Sequence, residues 1–224
     1  MVKLLAIDTS GPTCILAVHL DGEEAEVKIE FDKSKNEALK QSVAGLLSDF
    51  GLRPDMLTHI AVGVGPGKFI RLRTGISFAN GLASSIGVPI VQVDSLAVLG
   101  YSCIADPKKI AAVREGGKGK VFFAVGLKDS EDPLFDPRTP WKYGPSETTF
   151  DKLCDSAMAY AELIALDDDA QAGFQQRILV PGTHFAHVHS DAKVQAFLRL
   201  AIEGVRRNRF CAIAVPRYGD PIWK

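Results

Sequence analysis

The stretch that decides the fold is residues 61–83, AVGVGPGKFIRLRTGISFANGLA. It begins with an apolar run typical of a buried strand, which ends at the turn Gly65-Pro66-Gly67. Apolar residues then recur at three- and four-residue spacing, as on one face of a helix: Leu72, Ile76, Ala79, Leu82 and Ile86. A strand, a glycine turn and a helix together point backbone N–H groups at an anion. The motif is neither a P-loop nor a dinucleotide fingerprint, and by itself it also fits an ordinary tight turn.

The amino-terminal residues predict a second candidate phosphate loop. A short apolar strand over residues 3–8 ends in Asp8-Thr9-Ser10-Gly11, and two further strands are predicted over residues 13–20 and 24–31. A carboxylate, two hydroxyls and backbone N–H groups are the groups that hold Mg²⁺ and phosphate. The candidate phosphate-loop residues, degenerate in this chain, are Asp8, Thr9, Ser10, Gly65 and Gly67. The arrangement resembles the α/β fold of actin, hexokinase and Hsp70, the ribonuclease H-like ATPase fold.

Three segments, in this order, resemble the bacterial TsaB (YeaZ) family of tRNA threonylcarbamoyladenosine biosynthesis proteins. They are the opening AIDTS strand, the turn and helix GPGKFIRLRTG, and the strand that leads into an S-L helix. The matching positions are Asp8, Thr9, Ser10, Gly65, Pro66, Gly67, Phe69, Leu72, Arg73, Gly75, Asp94, Ser95 and Leu96. The resemblance is dense over residues 1–100 and thinner at 119–124 and 216–218. The chain departs from the family at Lys68 and Ile70-Arg71, where the family usually has Ser and Thr-Gly.

The resemblance implies a non-catalytic scaffold that binds and activates a TsaD-type enzyme. That enzyme transfers threonylcarbamoyl to the adenosine beside the tRNA anticodon, with a TsaE-type ATPase as a further partner and tRNA bound only through the complex. The first lobe lacks the HxxxH metal pair of the TsaD family. No dedicated cofactor is implied, although weak or shared binding of ATP or ADP with Mg²⁺ fits the two loops. Two alternatives stay open: a small kinase of the same fold that uses Asp8 as metal anchor or base, and a stand-alone nucleotide-binding regulator.

The sequence predicts two lobes. Residues 1–105 form a first actin-like lobe with the order β-β-β-α-β-α-β-α, and residues 106–224 form a second, smaller and degenerate lobe. For the second lobe we predict strands over 110–113, 121–127 and 178–180, helices over 150–165 and 191–207, and a proline-bearing surface loop over 128–146.

Small residues form a row on each of the first two predicted helices. The helix over residues 36–50 buries an apolar stripe of Leu39, Val43, Leu46, Leu47 and Phe50. The small rows are Ala38, Ser42 and Gly45 on the first helix and Gly75, Ala79 and Ala83 on the second, and with Arg73 these residues are the candidates for a partner interface. Small residues let helices approach closely. We therefore expect an outward groove that binds the helices of a TsaD-type partner, or of a second copy in a homodimer. The alternative is that these rows pack on their own sheet.

Composition predicts a cytoplasmic protein. The 224 residues are 46% hydrophobic, yet no run approaches 18 apolar residues, and no signal-peptide pattern opens the chain. Four widely spaced cysteines without a CxxC pair predict reduced thiols. A net charge of −1 argues against strong binding of tRNA by this chain alone.

Metal and nucleophile sites are not predicted. His184, His187 and His189 form a metal-like cluster, for which surface polar residues are the alternative, and we assign no metal. No GxSxG motif is present, and we assign no catalytic residue.

Overall fold

The computed structural model describes residues 1–11, 13–20, 23–30, 36–103, 109–117, 120–127, 142–143, 148–149, 163–166, 184–188 and 190–217. The early elements are β1 (Lys3–Asp8), β2 (Thr13–Leu20), β3 (Glu23–Glu30), α1 (Asn36–Asp49), β4 (His59–Gly63), α2 (Phe69–Ile86), β5 (Ile90–Val93) and α3 (Ser95–Tyr101). The later ones are β6 (Lys109–Gly117), β7 (Lys120–Leu127), β8 (Lys142–Tyr143), β9 (Thr148–Thr149), β10 (Leu163–Leu166), β11 (His184–His187) and α4 (Ser190–Arg206). The element order predicted for the first lobe is confirmed.

The chain divides into two compact units. The first comprises Met1–Val64, Phe69–Val93 and Phe197–Pro216, and the second comprises Gly65–Lys68, Asp94–Ala196 and Arg217–Lys224. The lobe boundary at residue 105 stays a prediction.

The first unit is built on a five-stranded sheet with the order β3-β2-β1-β4-β5. β1, β2 and β3 pair antiparallel, whereas β4 pairs parallel with β1 and β5 parallel with β4. The connections through α1 and α2 both join parallel strands and run in the same direction across the sheet. Because such crossovers are right-handed, α1 and α2 lie on the same face of the sheet. β1 and β4 supply the centre of its core, with Leu5, Ile7 and Ile60 fully buried.

The second unit contains a six-stranded sheet with the order β11-β10-β6-β7-β8, in which β9 also pairs with β7. β6 and β7 form an antiparallel hairpin with a register shift between Glu115 and Gly117. β10 pairs parallel with both β6 and β11. α3 contacts β6, β7 and β10, and its residues from Ser95 to Gly100 are all buried. The sheet and α3 together therefore form the described core of this unit.

The later elements differ in part from the sequence-based expectations. Residues 163–165 form the strand β10 and not the end of a helix, because the run Leu163–Leu166 pairs on both sides within the sheet. A short apolar run does not distinguish a buried strand from a helix by periodicity. Lys142–Tyr143 is a strand inside the predicted loop. The helix predicted over 191–207 is confirmed by α4, whereas residues 150–162 and the strand predicted over 178–180 lie outside the described residues.

Among the helices in the described ranges, none has both the length and the apolar character needed to cross a bilayer.

Candidate functional site

The Asp8 carboxylate is hydrogen-bonded to the backbone of its own loop, which follows β1. Asp8 is buried, and its Oδ1 accepts a hydrogen bond from the Ser10 backbone N–H at 2.8 Å. The neighbouring strand β4 approaches so closely at Gly63 that a β-carbon there would overlap the carboxyl group of Asp8. The predicted loop residues Asp8, Thr9 and Ser10 therefore do lie together, with one carboxylate oxygen engaged by their own backbone.

Two hydrogen bonds join the first turn of α2 to this loop, one donated by each side. The buried Thr9 hydroxyl donates to the Arg71 carbonyl at 2.7 Å, and Arg71 Nη1 donates to the Gly11 carbonyl at 2.9 Å. Arg71 is one of the positions at which the chain departs from the family motif. The sequence shows an arginine where the family usually has glycine. The structure gives this arginine a defined contact with the loop.

The turn that precedes α2 also uses its polar groups internally. Gly65 has a φ of +98°, a conformation open to glycine, and the Gly65-Pro66 peptide is cis. The Gly65 N–H donates to Ser95 Oγ at 3.2 Å, and the Ser95 N–H donates back to the Gly65 carbonyl at 2.9 Å. Buried Arg114 donates through Nη1 to the Pro66 carbonyl at 3.1 Å. Gly67 is buried. The Gly65 N–H, a predicted anion donor, is thus engaged by a hydroxyl of the protein.

A buried ion pair next to this turn was not predicted. Asp94 is the N-cap of α3, where its Oδ1 accepts from the Ala97 N–H at 2.8 Å. Its Oδ2 pairs with Arg217, and both side chains are buried. An aspartate directly before an apolar helix is a readable capping signal. No local pattern could pair it with a residue 123 positions later.

The small row of α2 points inward, which corrects the expected groove. Gly75, Ala79 and Ala83 are buried, and Ala79 has no exposed surface. A β-carbon at Gly75 would overlap the Thr9 side chain. This row packs within its own unit because α2 lies against β4, β1 and β5. An outward groove lined by these three residues is therefore wrong.

The outward face of α2 carries larger side chains. Ile70 is 78% exposed and Phe69 is 52% exposed. The Arg73 guanidinium lies 3.8 Å from the centre of the Phe69 ring, a cation–π contact. With Thr74 and Ser77, these residues line an open groove of about 420 Å³. Sequence reasoning included Arg73 among the interface candidates and missed Phe69 and Ile70, although Ile70 falls on the opposite side of the helix from the buried stripe.

On α1, the apolar stripe is buried as predicted at Leu39, Val43, Leu46 and Leu47. The stripe ends there, because the helix stops at Asp49 and Phe50 is 36% exposed, so the prediction for Phe50 is wrong. Of the small row, Gly45 is exposed, and a β-carbon added there would meet nothing within 4 Å. Ser42 is half-buried, and the side chain of Ala38 lies outside the described part.

Cysteine and histidine positions add no further chemistry. Burial, followed by the nearby Asp8 charge, raises the pKa of the Cys14 thiol to about 12, with Arg71 acting in the opposite direction. Such a thiol stays protonated and unreactive at neutral pH. His184 and His187 lie in β11, and His189 is not among the described residues. Within the described ranges, no three His, Cys, Asp or Glu residues are grouped to hold a metal ion.

Comparisons with known proteins agree with the resemblance seen in the sequence. The profile of the TsaD family, described as tRNA N6-adenosine threonylcarbamoyltransferase, matches residues 30–132. The "tRNA threonylcarbamoyladenosine biosynthesis protein TsaB" of Haemophilus influenzae is 22% identical over 164 residues, which are 72% of this chain and 68% of that protein. The Bacillus subtilis protein of the same name is 30% identical over 140 residues, 62% of this chain and 60% of that protein.

Two solved structures share the fold over nearly the whole chain. YeaZ from Pseudomonas aeruginosa has a TM-score of 0.72 at 20% identity and covers 97% of this chain and 100% of that one. A second structure, described as an uncharacterized protein with similarity to peptidase YeaZ from the same organism, has a TM-score of 0.76 at 21% identity, covering 98% and 100%. The predicted fold class is confirmed.

Proposed function

We propose that this chain, which belongs to the TsaB (YeaZ) family, acts in tRNA threonylcarbamoyladenosine biosynthesis as a non-catalytic subunit that binds a TsaD-type enzyme. The names of the TsaB relatives support the pathway. The observation that carries the binding role is the exposed apolar start of α2, where Phe69 and Ile70 face outward. A TsaE-type ATPase and tRNA would join through the complex.

We define the partner face as Phe69, Ile70 and Arg73 of α2 together with Gly45 of α1. Both helices lie on one face of the sheet, and the exposed Gly45 leaves room for a second backbone to approach closely. An aromatic ring stacked with an arginine is a common anchor of protein interfaces. Covering Ile70 and Phe69 would also stabilise the complex, because each Å² of apolar surface removed from water contributes about 25 cal/mol.

A TsaD-type partner fits this face because the TsaD profile matches residues 30–132, the part of the chain that includes α1 and α2. A partner built on the same unit would present equivalent helices, so that the contact is made between pseudo-equivalent surfaces. The same reasoning applies to two copies of this chain. We therefore expect a homodimer in the absence of the partner.

The non-catalytic role is supported by how the two candidate phosphate loops use their polar groups. The Asp8 carboxylate accepts from Ser10, the Thr9 hydroxyl donates to Arg71, and the Gly65 N–H donates to Ser95. A phosphate that accepts from the Thr9 hydroxyl or the Gly65 N–H would have to replace two of these bonds. A catalytic role for this chain would instead need such groups to be available to a substrate.

The test is binding of the purified chain to the TsaD-type enzyme of its own organism. Size-exclusion chromatography with light scattering detects the complex and gives its mass. We expect a defined complex that Ile70→Glu abolishes. Ile213→Glu is the matched control, because Ile213 is also a highly exposed isoleucine, located after α4. Equal binding by both variants would place the contact elsewhere. Calorimetry with ATP and Mg²⁺ tests the two alternatives, since a kinase or a nucleotide-binding regulator must bind nucleotide without a partner.

A further inference from the structure

The segment after α4 is hydrogen-bonded to β5 through a backbone bridge and to β5 and α2 through side-chain amides. Cys211 and Ile90 exchange two backbone hydrogen bonds, of 2.9 and 3.0 Å, as an antiparallel bridge. The Asn80 amide then donates to the Ala214 carbonyl at 3.0 Å and accepts from the Ala214 N–H at 2.8 Å. The Val215 N–H donates to Gln92 Oε1 at 3.3 Å. We call residues 209–217 the carboxy-terminal latch.

The latch ends in the buried ion pair of Arg217 with Asp94. Asp94 is the N-cap of α3, and the next residue, Ser95, exchanges two hydrogen bonds with Gly65. Asp94, Ser95, Gly65 and Arg217 all belong to the second unit. A continuous set of polar contacts therefore runs from the end of the latch to the Gly65–Gly67 turn.

We propose that Arg217 is a positioning residue for the turn that precedes α2. Its guanidinium fixes the Asp94 carboxylate in the orientation that caps α3, which keeps Ser95 in register with both polar backbone groups of Gly65. Removing one partner of a buried ion pair destabilises the buried charge that remains. Without Arg217, Asp94 turns toward water, the first turn of α3 opens, and Gly65 loses its two partners. This inference does not depend on the proposed partner.

Hydrogen exchange followed by mass spectrometry tests the proposal on the full chain. In Arg217→Ala, we expect exchange to rise about tenfold or more in peptides that contain Gly65–Gly67 and the start of α3. The exchange rates of peptides from β1 and β2 should stay within about twofold of those in the wild type. Arg217→Lys, which keeps the charge, should recover part of the protection. Arg53→Ala is the control, because it removes an exposed arginine–aspartate pair, Arg53 with Asp55.

Two results would overturn the proposal. One is unchanged exchange at the turn in Arg217→Ala, and the other is an increase of equal size in β1 and β2, which would mean a general loss of stability. If Arg217→Ala does not fold, Asp94→Asn decides, because asparagine also caps helices while the ion pair is lost. Asp94→Asn should then raise exchange at the start of α3 and at the turn together, because the side chain at position 94 no longer has an ionic partner that fixes its orientation. The same protection as in the wild type would again refute the role of Arg217.

Discussion

Gly75 of α2 lies so close to Thr9 that a β-carbon at position 75 fits only if one of the two residues shifts. A β-carbon there would overlap Thr9 Oγ1 and crowd the rest of that side chain. Thr9 has little freedom to move away, since it is buried and its hydroxyl donates to the Arg71 carbonyl. Glycine at this position of the motif therefore allows α2 to pack closely against the loop after β1, within the same unit.

This contact predicts the effect of a single methyl group. Gly75→Ala should lower the free energy of unfolding by about 1–3 kcal/mol, because overpacking outweighs the gain in helix propensity. Gly81→Ala is the matched control on the same helix, where an added β-carbon meets nothing within 4 Å. It should raise stability by about 0.5–1 kcal/mol. Urea denaturation measures both.

A second substitution tests the cause of that loss. Thr9→Ala removes Oγ1 and Cγ2, the two atoms nearest to the new methyl group, so the double variant should be less destabilised than the sum of the two single effects. Additive losses would show that the strain at position 75 arises from another neighbour.

The Asp8 carboxylate is predicted to be structural and not catalytic. Asp8→Ala should leave threonylcarbamoyl transfer by the assembled complex largely unchanged, measured as modified adenosine in tRNA. It should lower stability by about 1–3 kcal/mol, because the buried Ser10 N–H loses its acceptor. A fall in activity of about a hundredfold, equivalent to roughly 2.7 kcal/mol, would indicate catalysis or metal binding. Circular dichroism of the variant confirms that the comparison is made on folded protein.

The Cys14 thiol predicts a loss of stability in alkali. Its pKa rises from 9.0 to about 12 on folding, so the folded state favours the protonated thiol. The stabilisation is complete below pH 9 and is lost as the pH rises from 9 toward 12, at up to about 1.4 kcal/mol per pH unit. Cys14→Ala should remove this component from the pH dependence of unfolding. Identical slopes for the two proteins between about pH 9 and 11 would contradict the prediction.

The partner face predicts different outcomes for two substitutions of small residues by glutamate. Gly45→Glu should prevent both the homodimer and the complex with the TsaD-type enzyme and leave the monomer folded, because position 45 is exposed. Ala79→Glu should unfold the chain, since Ala79 is fully buried and a carboxylate there would be desolvated. Light scattering and circular dichroism distinguish the two. A folded Ala79→Glu monomer that fails to bind would restore the groove expected from the sequence.

The strands and helices of the first unit could be predicted from the sequence because each has a clear period or an apolar run between turn residues. Gly75 illustrates the limit of that information. Its spacing with Ala79 and Ala83 equally fits a row that faces a partner and one that faces the sheet, and only the packing of α2 on β1 and β4 decides. β10 was missed for a related reason, since four apolar residues carry no period. The ion pair of Asp94 with Arg217 could not be predicted either, because the two residues are 123 positions apart and only the folded chain brings them together.

The two borders of the five-stranded sheet are closed in different ways. β3, at one border, has charged residues at five of its eight positions, Glu23, Glu24, Glu26, Lys28 and Glu30. β5, at the other, is bridged at Ile90 by Cys211. Charge and coverage are the means by which folded proteins prevent strand addition from a neighbouring molecule. At the two borders of this sheet, strand addition from a neighbouring molecule is therefore disfavoured, while the start of α2 keeps apolar side chains in contact with water.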